Sequence, residues 1–217
     1  MEAAERGIAA MAIATSGLMP ASLRACAATR GAVARHHHVR GTSVTAIGDS
    51  VMLAAAAGLQ TVLPGIYIDA LVSRQLSAGL DVVRSLAGSG RLRRIVVVGL
   101  GTNGTVTSAQ IRQLLTIVGP RRRLVLVNTF VPRPWQGEVN GALAAAARRH
   151  PNVLVANWLA AIEHRTSLLW DDGVHPRPPG GLLYARVVRA AIRAVLGRRA
   201  AGRDAASAGT GEDGTGW

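Results

Sequence analysis

The 217-residue sequence has one cysteine, Cys26, and no lysine. A single cysteine forbids a disulfide within the chain and a zinc site built on paired cysteines. The missing lysine excludes a phosphate loop of the G-x-x-x-x-G-K type. Aromatic residues make up 3% of the chain, against 49% hydrophobic and 17% charged. The core must therefore come from Val, Leu, Ile and Ala, which suits a parallel sheet covered by helices on both faces. No run reaches the ~18 apolar residues of a membrane span. Residues 7–19, GIAAMAIATSGLM, are mildly apolar but short, and the acidic start MEAAER has the wrong charge for a signal peptide. A soluble domain is expected, without a clear signal peptide or transmembrane segment.

What is abundant is arginine. The net charge is +13, and all 25 basic residues are Arg. Such a balance raises nucleic acid or an anionic envelope polymer as a partner. The placement of the charge argues against nucleic acid. The runs RLRR (91–94) and RRR (121–123) each precede a predicted strand, where a helix has just ended and cations complement its dipole. No aromatics interleave with them as a base-stacking platform requires. The HHH run (36–38) has no Cys, Asp or Glu beside it and reads as a solvated loop, not a metal site. No metal or other cofactor is implied.

The length suits one domain of about 150 residues with tails. Residues 1–41 lack a convincing period and read as a flexible leader or linker. From 198 to 217 the chain is Gly, Ala and Ser with scattered charge and reads as a disordered tail. Between them, over 42–197, short β-branched runs alternate with helical patterns. Strands are predicted at 43–48, 65–70, 94–100, 123–130 and 152–157, and helices at about 51–62, 76–88, 107–118, 136–149 and 180–196. In 107–118, Ser108 is the expected cap, and Ile111, Leu114, Leu115 and Val118 form one face. This alternation predicts right-handed βαβ units and an α/β fold. In such folds, sites gather at the carboxyl ends of the strands.

Three strand ends carry chemistry. After the first strand comes GDSV (48–51), where Ser50 either caps the next helix or presents a nucleophile whose own N–H faces an oxyanion. After the third comes GLGTNGTV (99–106). Gly101 and Gly104 bracket Thr102 and Asn103, forming either a plain Asn-Gly turn or a loop that aims the Asn103 amide into a site. After the fifth strand and a short helix comes WDDGVHP (170–176). It is either a turn before the last helix or a base, His175, oriented by Asp172 three residues earlier. Asp171 is expected to serve the turn. Singly each is weak; jointly they place a nucleophile, an amide donor and an oriented base at one sheet edge. At the end of the fourth strand, Arg133 and Trp135 in NTFVPRPWQGEVN (128–140) either line an acceptor side or belong to a Pro-braced loop with Trp135 packed on it.

GDS (48–50), GTNG (101–104) and DDGVHP (171–176) resemble blocks I, III and V of the SGNH/GDSL hydrolases, in order and spacing, over about residues 43–196. The resemblance implies a flavodoxin-like three-layer α/β/α sandwich with a five-stranded parallel sheet of order 2-1-3-4-5. It implies that Ser50 is the nucleophile, His175 the general base and Asp172 its partner, with Asn103 and the Ser50 N–H as oxyanion donors and Gly101 in the same binding loop. The block II glycine of the family, a further backbone donor, aligns with Arg74 in DALVSRQ (69–75), so the donor can persist while the side chain alters the pocket. This departure, with VSRQ, is similar to SGNH domains attached to bacterial membrane acyltransferases that move O-acetyl groups onto cell-wall or surface polysaccharides.

The expected function is that of a serine-dependent O-acyl enzyme, an esterase or O-acyltransferase acting through an acyl-serine on envelope polysaccharide or peptidoglycan. Its expected partners are an acyl ester donor, a carbohydrate or small-alcohol acceptor and a membrane acyltransferase, with the chain itself a monomer. The family resemblance favours an extracytoplasmic, envelope location. The alternative is an inactive module of the same fold whose basic surface binds an anionic glycan or nucleic acid.

Overall fold

The structure, a computed structural model, describes residues 39–208, with side chains through 198. Cys26, the apolar stretch 7–19, the HHH run, most of the leader and residues 209–217 lie outside the described residues. Five strands, β1 (Val44–Gly48), β2 (Tyr67–Ala70), β3 (Ile95–Gly99), β4 (Arg123–Val127) and β5 (Val153–Ala156), form one sheet of order 2-1-3-4-5. Every neighbouring pair is parallel; Gly48 at the end of β1 lies level with Ala70 of β2 and Gly99 of β3. Among the described residues seven α-helices surround the sheet: α1 (Ser50–Ala54), α2 (Ala56–Val62), α3 (Leu76–Gly88), α4 (Ser108–Val118), α5 (Gln136–Arg149), α6 (Trp158–Ile162) and α7 (Pro178–Ala208). The expected three-layer α/β/α architecture and its strand order are observed.

Alternation along the strands explains the layers. Val44, Ala46, Val97 and Val125 point to one face and pack with Met52, Leu59, Trp158 and Ile192 from α1, α2, α6 and α7. Ile47, Val96, Val98, Leu124 and Leu126 point to the other and pack with Leu80, Leu114 and Leu143 from α3, α4 and α5. Both faces are covered, so the strands read as continuous apolar runs. Each fully buried Val or Leu contributes about 1.5–3 kcal/mol. The close approach of α2 to α7 relies on glycine: a Cβ on Gly58 would lie 2.6 Å from the Gly181 carbonyl oxygen.

Several boundaries differ from expectation. The helix predicted over 51–62 is two, meeting at Ala55, whose N–H is shared between the Val51 and Met52 carbonyls as at a helix end. The cap of α4 is Thr107, not Ser108. The Thr107 hydroxyl accepts from the Gln110 N–H, and the Gln110 side chain accepts from the Thr107 N–H. The packed domain begins before 42: Gly41 is buried in a short 3-10 helix, Gly41–Ser43, where a Cβ would overlap the Leu63 carbonyl. At the other end α7 runs past 197 to Ala208; RRAAGRDAASA is rich in the strong helix formers Ala and Arg.

The arginine runs are partly interior. The Arg93 guanidinium donates to the carbonyls of Gly41, Val44 and Gly65. Arg122 donates to Leu92 and to Val118, the last residue of α4. The latter is the helix-end role expected of these cations.

Candidate active site

The site stands at the switch point where the connections from β1 and β3 leave in opposite directions. β1 runs directly into α1 through Asp49, whose side chain caps the helix by accepting the Val51 N–H at 3.0 Å. Ser50 is then the first helical residue. Its N–H has no intrahelical partner, and the residue is half-buried. Asp49 itself is 1% exposed. Burial raises its pKa above the ordinary carboxylate value, against the lowering effect of hydrogen bonds from Val51, Thr102 and Met52. Burial, and then the Asp49 charge, push the phenol of buried Tyr184 well above 10.

His175 arrives on a tight hairpin. Leu169 and Pro176 form an antiparallel bridge, and the Trp170 N–H donates to the His175 carbonyl at 2.8 Å. Gly173, at φ +67°, closes the turn between them. The Asp172 carboxylate organises this turn. One oxygen accepts the N–H groups of Val174 (2.8 Å) and His175 (3.0 Å), and the other lies 2.7 Å from His175 Nδ1. An ionised carboxylate only accepts, so Nδ1 carries the proton and Nε2 presents its lone pair. That lone pair faces Ser50 Oγ at 2.8 Å. Burial pushes the Asp172 carboxyl up. The N–H groups of His175 and Val174, followed by the imidazole, more than offset it and hold the pKa at about 2. Asp171 is exposed and pairs with Arg177 at 2.7 Å.

The third strand end supplies the amide. Gly101 and Gly104 have φ of +151° and +149°, values that exclude side-chain-bearing residues. A Cβ on Gly101 would also lie 2.7 Å from Val139 Cγ1. The Asn103 side-chain amide donates to the Arg74 carbonyl at 3.4 Å, and Gln75 Nε2 donates to the Asn103 carbonyl at 3.1 Å. These two bonds tie the 101–104 loop to the 71–75 loop. A primary amide has two N–H groups, so one remains for a ligand.

The Arg74 side chain is held by the end of β1 and by β2. It is 8% exposed and turns inward. One guanidinium nitrogen donates to the carbonyls of Asp69 (2.6 Å) and Gly48 (3.3 Å), and another pairs with the Asp69 carboxylate (2.7 Å). Its backbone N–H bonds the Leu71 carbonyl at 3.3 Å. Ser73, just before it, adopts φ +60°, a left-handed conformation costly for a non-glycine residue. The Arg74–Asp69 pair had a sequence signal, an Asp five residues earlier, that alignment to a glycine obscured.

Trp135 takes the packing role. It is half-buried against the second core cluster, and its indole N–H donates to the Gly101 carbonyl at 3.2 Å. Arg133 is exposed on the loop before it. Among the described residues no helix is long and apolar enough to cross a membrane.

No family model matches the chain. The peptidoglycan O-acetyltransferase OatA of Listeria monocytogenes is 37% identical over 147 residues, spanning 68% of this chain and 23% of that protein. A Bacillus subtilis relative is 38% identical over 148 residues, with the same coverage. The chain thus matches about a quarter of the length of these curated relatives. Among solved structures, the C-terminal catalytic domain of Streptococcus pneumoniae peptidoglycan O-acetyltransferase A superposes with a TM-score of 0.66 at 22% identity, covering 71% of this chain and 94% of that domain. A lipolytic protein of the G-D-S-L family from Veillonella parvula superposes with a TM-score of 0.57 at 14% identity, covering 67% and 94%. At these identities the superpositions speak to fold.

Proposed function

We propose that the chain is an SGNH/GDSL-type serine-dependent O-acyl enzyme that moves an acetyl-type group through an acyl-Ser50 intermediate. The observation that carries this reading is the hydrogen-bonded chain Ser50 Oγ–His175 Nε2, His175 Nδ1–Asp172. It is the arrangement that turns a hydroxyl into a nucleophile near neutral pH.

In the proposed cycle Ser50 Oγ attacks the ester carbonyl of the donor while its proton passes to His175 Nε2. Asp172 holds the imidazole in the productive tautomer and stabilises its positive charge. The Ser50 N–H and the free N–H of Asn103 donate to the oxyanion. The tetrahedral adduct collapses, His175 returns the proton to the leaving alcohol, and the acyl group stays on Ser50. An acceptor hydroxyl then gives its proton to His175 and attacks the acyl carbon; the acyl–Oγ bond breaks and His175 returns the proton to Ser50 Oγ. When the acceptor is a sugar hydroxyl the outcome is transfer; when it is water, hydrolysis.

The 37–38% identity to proteins that include a peptidoglycan O-acetyltransferase supports a cell-envelope glycan as the acceptor. The reading as a purely basic binding module has less support, because Arg93 and Arg122, central in the two runs, are spent on backbone carbonyls. The test is a product assay with an aryl acetate donor, with and without an N-acetylglucosamine oligomer. Acetylated oligomer that disappears in Ser50→Ala is the expected result. Donor turnover that persists in Ser50→Ala would refute the mechanism.

A further inference from the structure

Trp170 stands apart from the other described aromatic residues. It is 50% exposed, whereas Trp158 and Tyr184 are buried and Tyr67, Phe130 and Trp135 are half-buried against the cores. An exposed indole in a chain with 3% aromatics invites a reason.

Its position follows from the hairpin. Leu169 and Pro176 are paired across an antiparallel bridge and both are buried, so that face of the hairpin points into the protein. The next pair, Trp170 and His175, is joined by the 2.8 Å bond from the Trp170 N–H to the His175 carbonyl, and its side chains alternate to the opposite face of the hairpin. Directly opposed residues on one face of an antiparallel pair are side-chain neighbours. That register puts both side chains on one face of the hairpin, with the imidazole turned to Ser50 Oγ and the indole to Arg177.

The indole is also held. The Arg177 guanidinium stacks over the ring at 4.4 Å from its centroid. Arg177 is itself fixed, donating to the Leu169 carbonyl and pairing with Asp171, both at 2.7 Å. One face of the ring is thus covered by a cation tied at two points, and half of the side chain remains open to solvent. A flat apolar surface, immobilised before a ligand arrives and carried on the same hairpin face as the general base, matches the C–H-bearing face of a pyranose ring.

We propose that Trp170 is the acceptor platform of the site: it stacks a pyranose of the acceptor glycan and brings that sugar's hydroxyl toward His175 Nε2. The inference rests on the acyl-transfer reading above for its function, but not for its binding test. Trp170 replaces Trp135 in this role, since the Trp135 indole N–H is engaged with the Gly101 carbonyl.

The test measures binding without turnover. An N-acetylglucosamine pentamer is titrated into the full chain carrying Ser50→Ala, by calorimetry and by indole fluorescence. Adding Trp170→Ala should weaken binding about tenfold or more, and Trp170→Phe should restore most of it. In the Ser50 background, Trp170→Ala should raise KM for the oligomer by a similar factor with a much smaller change in kcat. Circular dichroism and the melting temperature check the fold. Equal affinity for Trp170→Ala, or no binding by the Ser50→Ala protein, overturns the platform. If Trp170 governs binding while Ser50 fails to react with a fluorophosphonate, the platform stands and the acyl-serine reading falls.

Discussion

His175 Nε2 lies 2.8 Å from Ser50 Oγ across 125 residues of sequence. Nothing local holds these two atoms together. Ser50 is placed by β1 and the Asp49 cap of α1, and His175 by a hairpin braced on Leu169, Pro176 and Asp172. The contact exists because parallel strands deliver their carboxyl ends to one edge. Its chemistry depends on each support separately, so the supports can be tested one at a time.

Asp172 comes first. With three hydrogen bonds to its carboxylate and a pKa of about 2, it remains ionised through the range in which the enzyme is expected to work. Its folded pKa lies below the ordinary 3.8, so its contribution to stability is complete above 3.8 and is lost as the pH falls toward 2. A carbon-13 NMR titration of the aspartates should find one carboxyl with a midpoint near 2. That resonance should vanish in Asp172→Asn, which should also lower kcat on an aryl acetate by about 10⁴-fold through the wrong tautomer. A normal midpoint, or an active Asp172→Asn enzyme, would contradict the assignment.

Asn103 should act on the transition state. Asn103→Ala is expected to lower kcat about 10²–10³-fold with little change in KM for a small ester. Gln75→Ala, which removes the bond to the Asn103 carbonyl, should cost less, because the amide keeps its contact with the Arg74 carbonyl. Single-turnover kinetics on both variants check this; unchanged kcat in Asn103→Ala would remove it from the oxyanion site.

Asp49 should show the opposite pH dependence to Asp172. Burial raises its folded pKa above 3.8, so the folded state holds the proton more tightly than the unfolded chain. Stability from this group is complete below 3.8 and is lost as the pH rises through the raised value. Asp49→Asn keeps an oxygen for the Val51 N–H and removes the buried charge. Denaturant melts should find it at least as stable as the parent at pH 7, with the loss between acid and neutral pH reduced. A variant less stable by more than about 1 kcal/mol at pH 7 would show that the charge itself is needed.

Much of this site was legible because it depends on local chemistry. The five β-branched runs became five strands within a few residues, since apolar periodicity and turn residues are local signals. GDS and GTNG fell at strand ends, and DDGVHP on the turn before the last helix, for the same reason. What escaped was set by tertiary contacts. The alignment of Arg74 with a glycine carried no sign that the Asp69 carboxylate and the Gly48 carbonyl hold its guanidinium. Trp135 was an acceptor candidate until its N–H found the Gly101 carbonyl. Trp170 drew no attention, because its alignment with His175 appears only when the hairpin pairs. The helix over 198–208 was hidden by scattered glycine and charge in a stretch that is still mostly Ala and Arg.

The most direct test is covalent. The full chain is treated with a fluorophosphonate, digested, and the peptide spanning GDSVML is read by tandem mass spectrometry. The account predicts a single phosphonyl adduct on Ser50, formed in the parent protein, slowed about 10³-fold or more in His175→Ala and absent in Ser50→Ala. An unmodified Ser50 in the folded parent protein, or an adduct that forms as fast without His175, would contradict it.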